Sequence, residues 1–336
     1  MDQGWADPRK LAHSAAKARI LQEEALASLA QNLGLRSDEM EILGEPALGH
    51  FYSIAGLMRP EDTLVHSNVD RKEVFAIARV HQNSSVLGVE PSGQIKVDEL
   101  QKLAKTQGVL ALQVANGETG ILQDVEGLVA NSGTLRIAAD FSSAGTRVPL
   151  PSRWDSVFFD ARSWQGPQGI GIVAIRNGAA WRNPLPYLGA TRTPQSASLP
   201  LLMSAAIALE EWQENEGSEV ARLRALSQML RDEICASVEN CDVAGDLGQS
   251  LPHITSFSFL YVQGEELLRR LELAGFEVDS GSACTAEDLQ PSHVLAAMGV
   301  LTHGNIRITL HQGCTSAEVK SLTEAIRIAV EDLRAS

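Results

Sequence analysis

Between residues 109 and 175 the chain repeats one pattern: Val109-Leu-Ala-Leu-Gln-Val114, Leu135-Arg-Ile-Ala-Ala139, Ser156-Val-Phe-Phe159 and Ile170-Gly-Ile-Val-Ala-Ile175. Each run is short and bounded by Gly, Asn, Asp or Ser. A strand with one wet face alternates apolar and polar residues, whereas these runs are apolar on both faces. That suits parallel strands buried between helices.

Helical spacing surrounds them. Ile20, Leu21, Ala25, Leu26 and Leu29 fall on one stripe within about 15–33, and 97–106 repeats the pattern. Past the Pro- and Gly-broken segment Asn183-Pro-Leu-Pro-Tyr-Leu-Gly189, two long helices are expected at about 199–214 and 219–239, then a strand at 256–262. Thr315-Ser-Ala-Glu318 has the form of a capping box opening a last helix. The expectation is a large α/β domain over 12–210 with a mainly parallel sheet, and a smaller α+β domain over 211–336 that residues 1–11 would complete.

Composition narrows the function classes. With 336 residues, 44% hydrophobic and 5% aromatic, the chain can bury a Leu/Ala/Val core without metal or disulfides. A formal charge of −14 disfavours polyphosphate backbones and anionic lipid, so neither nucleic acid nor membrane is an expected partner. No apolar stretch approaches a membrane span and Met1–Pro8 shows no export signal, which gives a cytoplasmic expectation. Cys235, Cys241, Cys284 and Cys314 show no metal or disulfide spacing; no metal is expected, and three of the four read as buried small hydrophobes.

Three segments carry a more specific signal: Leu251-Pro-His-Ile-Thr-Ser-Phe-Ser-Phe-Leu-Tyr-Val262, Ser280-Gly-Ser-Ala-Cys-Thr through Gly299, and Asn305-Ile-Arg-Ile-Thr-Leu310. Together they resemble the C-terminal third of the NifS/IscS-type cysteine desulfurases, class V members of the fold-type I pyridoxal phosphate (PLP) enzymes. The resemblance implies a PLP-dependent-transferase fold and a site with four parts. An amine forms the Schiff base, an acid pairs with the pyridine nitrogen, a cup of donors takes the phosphate, and an arginine takes the substrate carboxylate.

Laid on this sequence, the parts diverge. Asp140 in Ile137-Ala-Ala-Asp-Phe-Ser-Ser-Ala-Gly145 matches the pyridine acid, with Ser143 where relatives carry a ring-contacting glutamine; capping of the next turn is the plainer role for Asp140. In Asp160-Ala-Arg-Ser-Trp-Gln-Gly-Pro-Gln-Gly-Ile-Gly171, the Gly-Pro-x-Gly-x-Gly tail places Ser163 at the Schiff-base lysine and Arg162 at the preceding histidine. A hydroxyl forms no imine. No lysine lies between Lys105 and Lys320, so none is expected near the site.

Leu43-Gly-Glu-Pro-Ala-Leu48 takes the place of the phosphate cup, where Glu45 adds like charge and Pro46 removes a donor. Arg71 stands at the ring-stacking histidine and Gly117 at a ring-facing asparagine. Cys284 falls on the persulfide-forming cysteine of the resemblance, with loop packing as its alternative role. Arg307 falls on the carboxylate-binding arginine, with an inter-domain salt bridge as its alternative.

The expectation is a family member without a bound cofactor, inactive as a PLP enzyme, with a binding, regulatory or sulfur-accepting role. An enzyme that binds PLP non-covalently or uses a remodelled pocket is the alternative. The implied partners are a second copy of the chain, an active desulfurase in a heterodimer, or a sulfur-transfer protein.

Overall fold

A computed structural model of the chain describes residues 6–186, 192–193, 197–281 and 291–335. Seven strands build its main sheet: β1 (Met40–Leu43), β2 (Thr63–Ser67), β3 (Ser84–Leu87), β4 (Gly108–Gln113), β5 (Arg136–Asp140), β6 (Ser156–Asp160) and β7 (Gly171–Ile175), in the order β1-β7-β6-β5-β4-β2-β3. Strands β2 to β6 pair in parallel, and β4, β6 and β7 are buried along their whole length.

The last of the four apolar runs departs from expectation. β7 is antiparallel to both β6 and β1. Its link to β6 is only 161–170, and a parallel return needs a crossover of roughly a dozen residues or more. A short turn returns the chain antiparallel, and the sheet is mixed but mostly parallel.

Helices α1 (His13–Leu33), α2 (Gly49–Ala55), α3 (Lys72–His81), α4 (Val97–Lys102) and α5 (Val125–Asn131) flank the sheet. The two expected helices after residue 199 are one, α6 (Leu199–Ser237). Gly217 costs an exposed helix about 1 kcal/mol relative to alanine, but both flanks are anchored. Leu202, Ala205, Leu209 and Trp212 enter the main core, while Leu223, Leu230 and Ile234 enter a second one.

That second core packs under β8 (Cys241–Val243), β9 (Ile254–Phe259) and β10 (Ile306–Thr309), an antiparallel sheet ordered β10-β9-β8. α7 (Gly264–Leu273) and α9 (Ser316–Ala335) contribute to it, whereas α8 (His293–Met298) packs into the main core. The strand expected at 256–262 stops earlier because Tyr261 is left-handed, with φ 63°. The capping box forms: Thr315 Oγ1 accepts from the Glu318 amide at 3.2 Å, and Glu318 Oε2 accepts from the Thr315 amide at 2.8 Å.

One expectation changes. Cys235 is exposed and Cys241 and Cys314 are half-buried, so the cysteines are less interior than their size suggested. The apolar stripes of α1 and the start of α6 are largely buried within the chain, through Ala18, Leu29, Leu202 and Leu209, leaving Ile20 and Ile207 exposed. Among the described residues, no helix is long and apolar enough to cross a membrane.

Candidate functional site

In an open parallel sheet, ligands approach the carboxyl ends of the strands. Here Ser67, Gln113, Asp140 and Asp160 end β2, β4, β5 and β6. Above β5 and β6 opens a cavity of about 500 Å³, lined in part by Ser143, Arg162, Ser163 and Arg307. Four positions chosen from sequence thus meet in one cavity, together with Glu45, Pro46, Arg71 and Gly117.

Asp140 does not itself line this cavity; it is buried behind the cavity-lining His50, Arg71 and Ser142. Its Oδ1 accepts from the Ser142 amide at 2.8 Å, the turn-capping role; its Oδ2 accepts from His50 Nε2 at 3.0 Å and faces Arg71 Nε at 3.5 Å. Burial alone would raise its pKa, but the charges of His50 and Arg71 and the hydrogen bonds from His50 and Ser142 outweigh burial. The carboxyl is held below the usual aspartate range. His50 reaches it because α2 sits close on the sheet: a Cβ on Gly49 would lie 2.0 Å from the Phe158 ring. No spacing in the sequence announces a partner ninety residues away.

Arg71 occupies the N-cap position of α3 without a side-chain capping bond, and its Nη2 donates to Ser143 Oγ at 2.6 Å. Arg162 folds back on Asp160: Nη2 and Nε meet Oδ2 at 2.6 and 3.0 Å, and the carboxylate raises the guanidinium pKa. Asp160 also accepts from the Arg162 amide. Ser163 Oγ donates to the Asp160 carbonyl at 2.7 Å, and the Ser163 carbonyl accepts from Arg147.

Arg307 lines the cavity and spends its guanidinium on the chain's own groups. Its guanidinium pairs with Asp279 beside it in the small-sheet region, and Nη1 donates to the Gly117 carbonyl at 3.1 Å across the two cores. The inter-core contact is a hydrogen bond, the ion pair is local, and Nε is buried without a hydrogen-bond partner. Cys284 lies outside the described residues.

Three further groups were not candidates in the sequence. Arg147 stacks over Trp212 at 4.1 Å, its pKa brought down to about 10 by burial. His253 lines the cavity with Nδ1 buried and unpartnered; burial first, then the Arg147 charge, pushes its pKa down to about 3, so the ring is neutral. Lys72 lines an adjoining cleft of about 270 Å³ that shares Arg71, Gly117 and Arg307 with the cavity. Among the described residues no lysine lines the cavity itself, and the exposed Lys72 reaches only the adjoining cleft.

The chemistry of this donor set does not fit Schiff-base-bound PLP. Ser163 offers no amine, the Asp140 carboxylate already faces His50 and the Arg71 guanidinium, and Glu45 brings a carboxylate to the cavity at the register the resemblance gives the phosphate cup. Among the described residues, no group of three or more His, Cys, Asp or Glu could hold a metal ion.

The Aminotransferase class-V family profile matches residues 51–322. A cysteine desulfurase IscS of Dictyoglomus turgidum is 27% identical over 356 residues, 99% of this chain and 90% of that protein. A cysteine desulfurase of a Nostoc species is 31% identical over 323 residues, covering 90% and 80%. A solved NifS-like protein superposes with a TM-score of 0.86 at 22% identity, covering 98% of this chain and 92% of that one.

Proposed function

The chain belongs to the class-V aminotransferase family, and from that premise we propose that it is a cysteine desulfurase-like protein that no longer catalyses through a PLP imine and serves instead by binding. The observation carrying this reading is the cavity in which Ser163 stands at the lysine register and its hydroxyl closes on the Asp160 carbonyl, above an Asp140 faced by Arg71 and His50. Each contact completes a group inside the chain that the family's chemistry would direct at a cofactor. Cys284 would then act as an acceptor of sulfur from an active desulfurase, with the chain assembled as a homodimer or paired with that enzyme.

Purified protein incubated with PLP and dialysed should show no imine absorbance, no borohydride-reducible adduct and no alanine from cysteine above background. A stoichiometric adduct with alanine formation would overturn the reading.

Lys72 favours a second reading, in which the protein remains an enzyme with PLP held non-covalently or from the adjoining cleft. Alanine formation from cysteine would select it, with a borohydride-reduced adduct mapped to Lys72 marking the cleft and PLP retained on dialysis without a reducible adduct marking the non-covalent form.

A further inference from the structure

We propose that the floor of the cavity is a binding site for a planar cation, filled from within the chain by the Arg71 guanidinium, which neutralises Asp140 in the position that the family resemblance assigns to a pyridinium ring. This deepens the reading above and rests on it.

Three positions distant in sequence are shaped to one guanidinium. Arg71 supplies it, with Nε 3.5 Å from Asp140 Oδ2. Ser143 supplies a hydroxyl that accepts from Nη2 at 2.6 Å. Gly117 supplies the space: a Cβ there would lie 2.7 Å from Nη2 and 3.3 Å from the guanidinium carbon. By the resemblance, these positions carry a ring-stacking histidine, a ring-contacting glutamine and a ring-facing asparagine. All three ring-contacting groups are exchanged, and each exchange suits the same substitute.

The placement also runs against local electrostatics. Arg71 sits at the N-cap of α3, where the helix dipole disfavours a cation. A buried carboxylate is the counterweight, and a planar, delocalised, weakly hydrated guanidinium is the side-chain cation suited to a site built for an aromatic ring. The tether leaves the fit incomplete: Nε has no hydrogen-bond partner, since 3.5 Å is long for one. A free guanidinium can settle closer than the tethered one.

The test uses thermal unfolding of the full chain without cofactor. Arg71→Ala should lower the midpoint by several degrees, and millimolar methylguanidinium should restore it saturably while methylammonium at equal ionic strength does not. The rescue should vanish in Arg71→Ala/Asp140→Asn and be absent in wild type. Gly117→Ala should destabilise wild type more than the Arg71→Ala background, because its methyl meets Nη2.

Should Arg71→Ala not fold, Arg71→Gln serves instead, and adding Asp140→Asn should recover at least half of its loss. Equal methylguanidinium effects on wild type and variant, an Arg71→Ala as stable as wild type, or a Gly117→Ala cost independent of Arg71 would overturn the proposal. An imine adduct in wild type would instead count against the functional reading.

Discussion

The Ser163 hydroxyl donates to the carbonyl of Asp160 at 2.7 Å, closing the turn after β6 with the side chain that stands at the imine-lysine register. Lysine there would restore the amine and nothing else, because Glu45 and Pro46 still stand at the phosphate-cup register and Arg71 still faces Asp140. Ser163→Lys should therefore fold yet fail to retain stoichiometric PLP after dialysis, read by absorbance and borohydride trapping. Replacing Glu45 and Pro46 as well should raise uptake above the single variant. Full, active incorporation by Ser163→Lys alone would show that the cup and Asp140 are adequate as they stand.

His50→Ala removes one of two groups facing the Asp140 Oδ2 and an edge-on contact with the Phe158 ring, centroids 4.9 Å apart. A hydrogen bond to a charged group contributes about 1.5–3 kcal/mol, so a loss of about that size is expected in urea unfolding. His50→Gln, which keeps a donor, should recover part of it. A change under about 0.5 kcal/mol, the range of ordinary surface substitutions, would mean that Arg71 alone compensates the carboxylate.

Much of this architecture is legible in the sequence, for physical reasons that also set the limits. Two-sided apolarity at 109–114, 135–139 and 156–159 reports burial between helices, and three parallel strands result; the same signal at 170–175 carries no direction, and β7 is reversed. Gly217 resembles a helix break, but propensity is weaker than the anchoring of both halves of α6 in separate cores. Ser143, Arg162, Ser163 and Arg307 share a cavity because a motif register carries position. His50, Arg147 and Lys72 belong to no motif, and only the fold brings them to the site. Cysteine burial departs from expectation because residue size states only a preference, while Cys235 lies on the outer side of α6.

The thiols should separate by reactivity. Cys235 is exposed, whereas burial first, and then the neighbouring Cys235, pushes the Cys241 thiol up to about 12. Alkylation at pH 8 followed by mass mapping should label Cys235 well before Cys241, since the thiolate is the nucleophile. Equal rates would show that the second thiol is not shielded in solution. In the sulfur-accepting role, a persulfide delivered by an active desulfurase should appear on Cys284 and vanish in Cys284→Ser; transfer that persists in that variant would remove Cys284 from the role.

Asp70 makes stability depend on pH in a direction opposite to that of ordinary carboxylates. Its side chain is buried, accepting from the Ser67 amide at 2.7 Å, and burial raises its pKa to about 7, with the nearby Asp140 charge adding to the rise. The unfolded chain releases this proton near the ordinary 3.8. Between those values the native state holds a proton that the unfolded state has lost, so this group's contribution falls as pH rises from about 4 to 7 and is flat above. The slope approaches about 1.4 kcal/mol per pH unit, a few kcal/mol at most across the window. His66 and His253, whose pKa values are lowered by burial, act oppositely: their contribution is lost as pH falls below about 6.5. The comparison that isolates Asp70 is therefore wild type against Asp70→Asn, whose carbonyl can still accept from Ser67. The variant should gain on wild type steadily between pH 4.5 and 7 and hold a constant lead above 7.5, measured by urea unfolding at each pH. Parallel profiles would place the titration elsewhere.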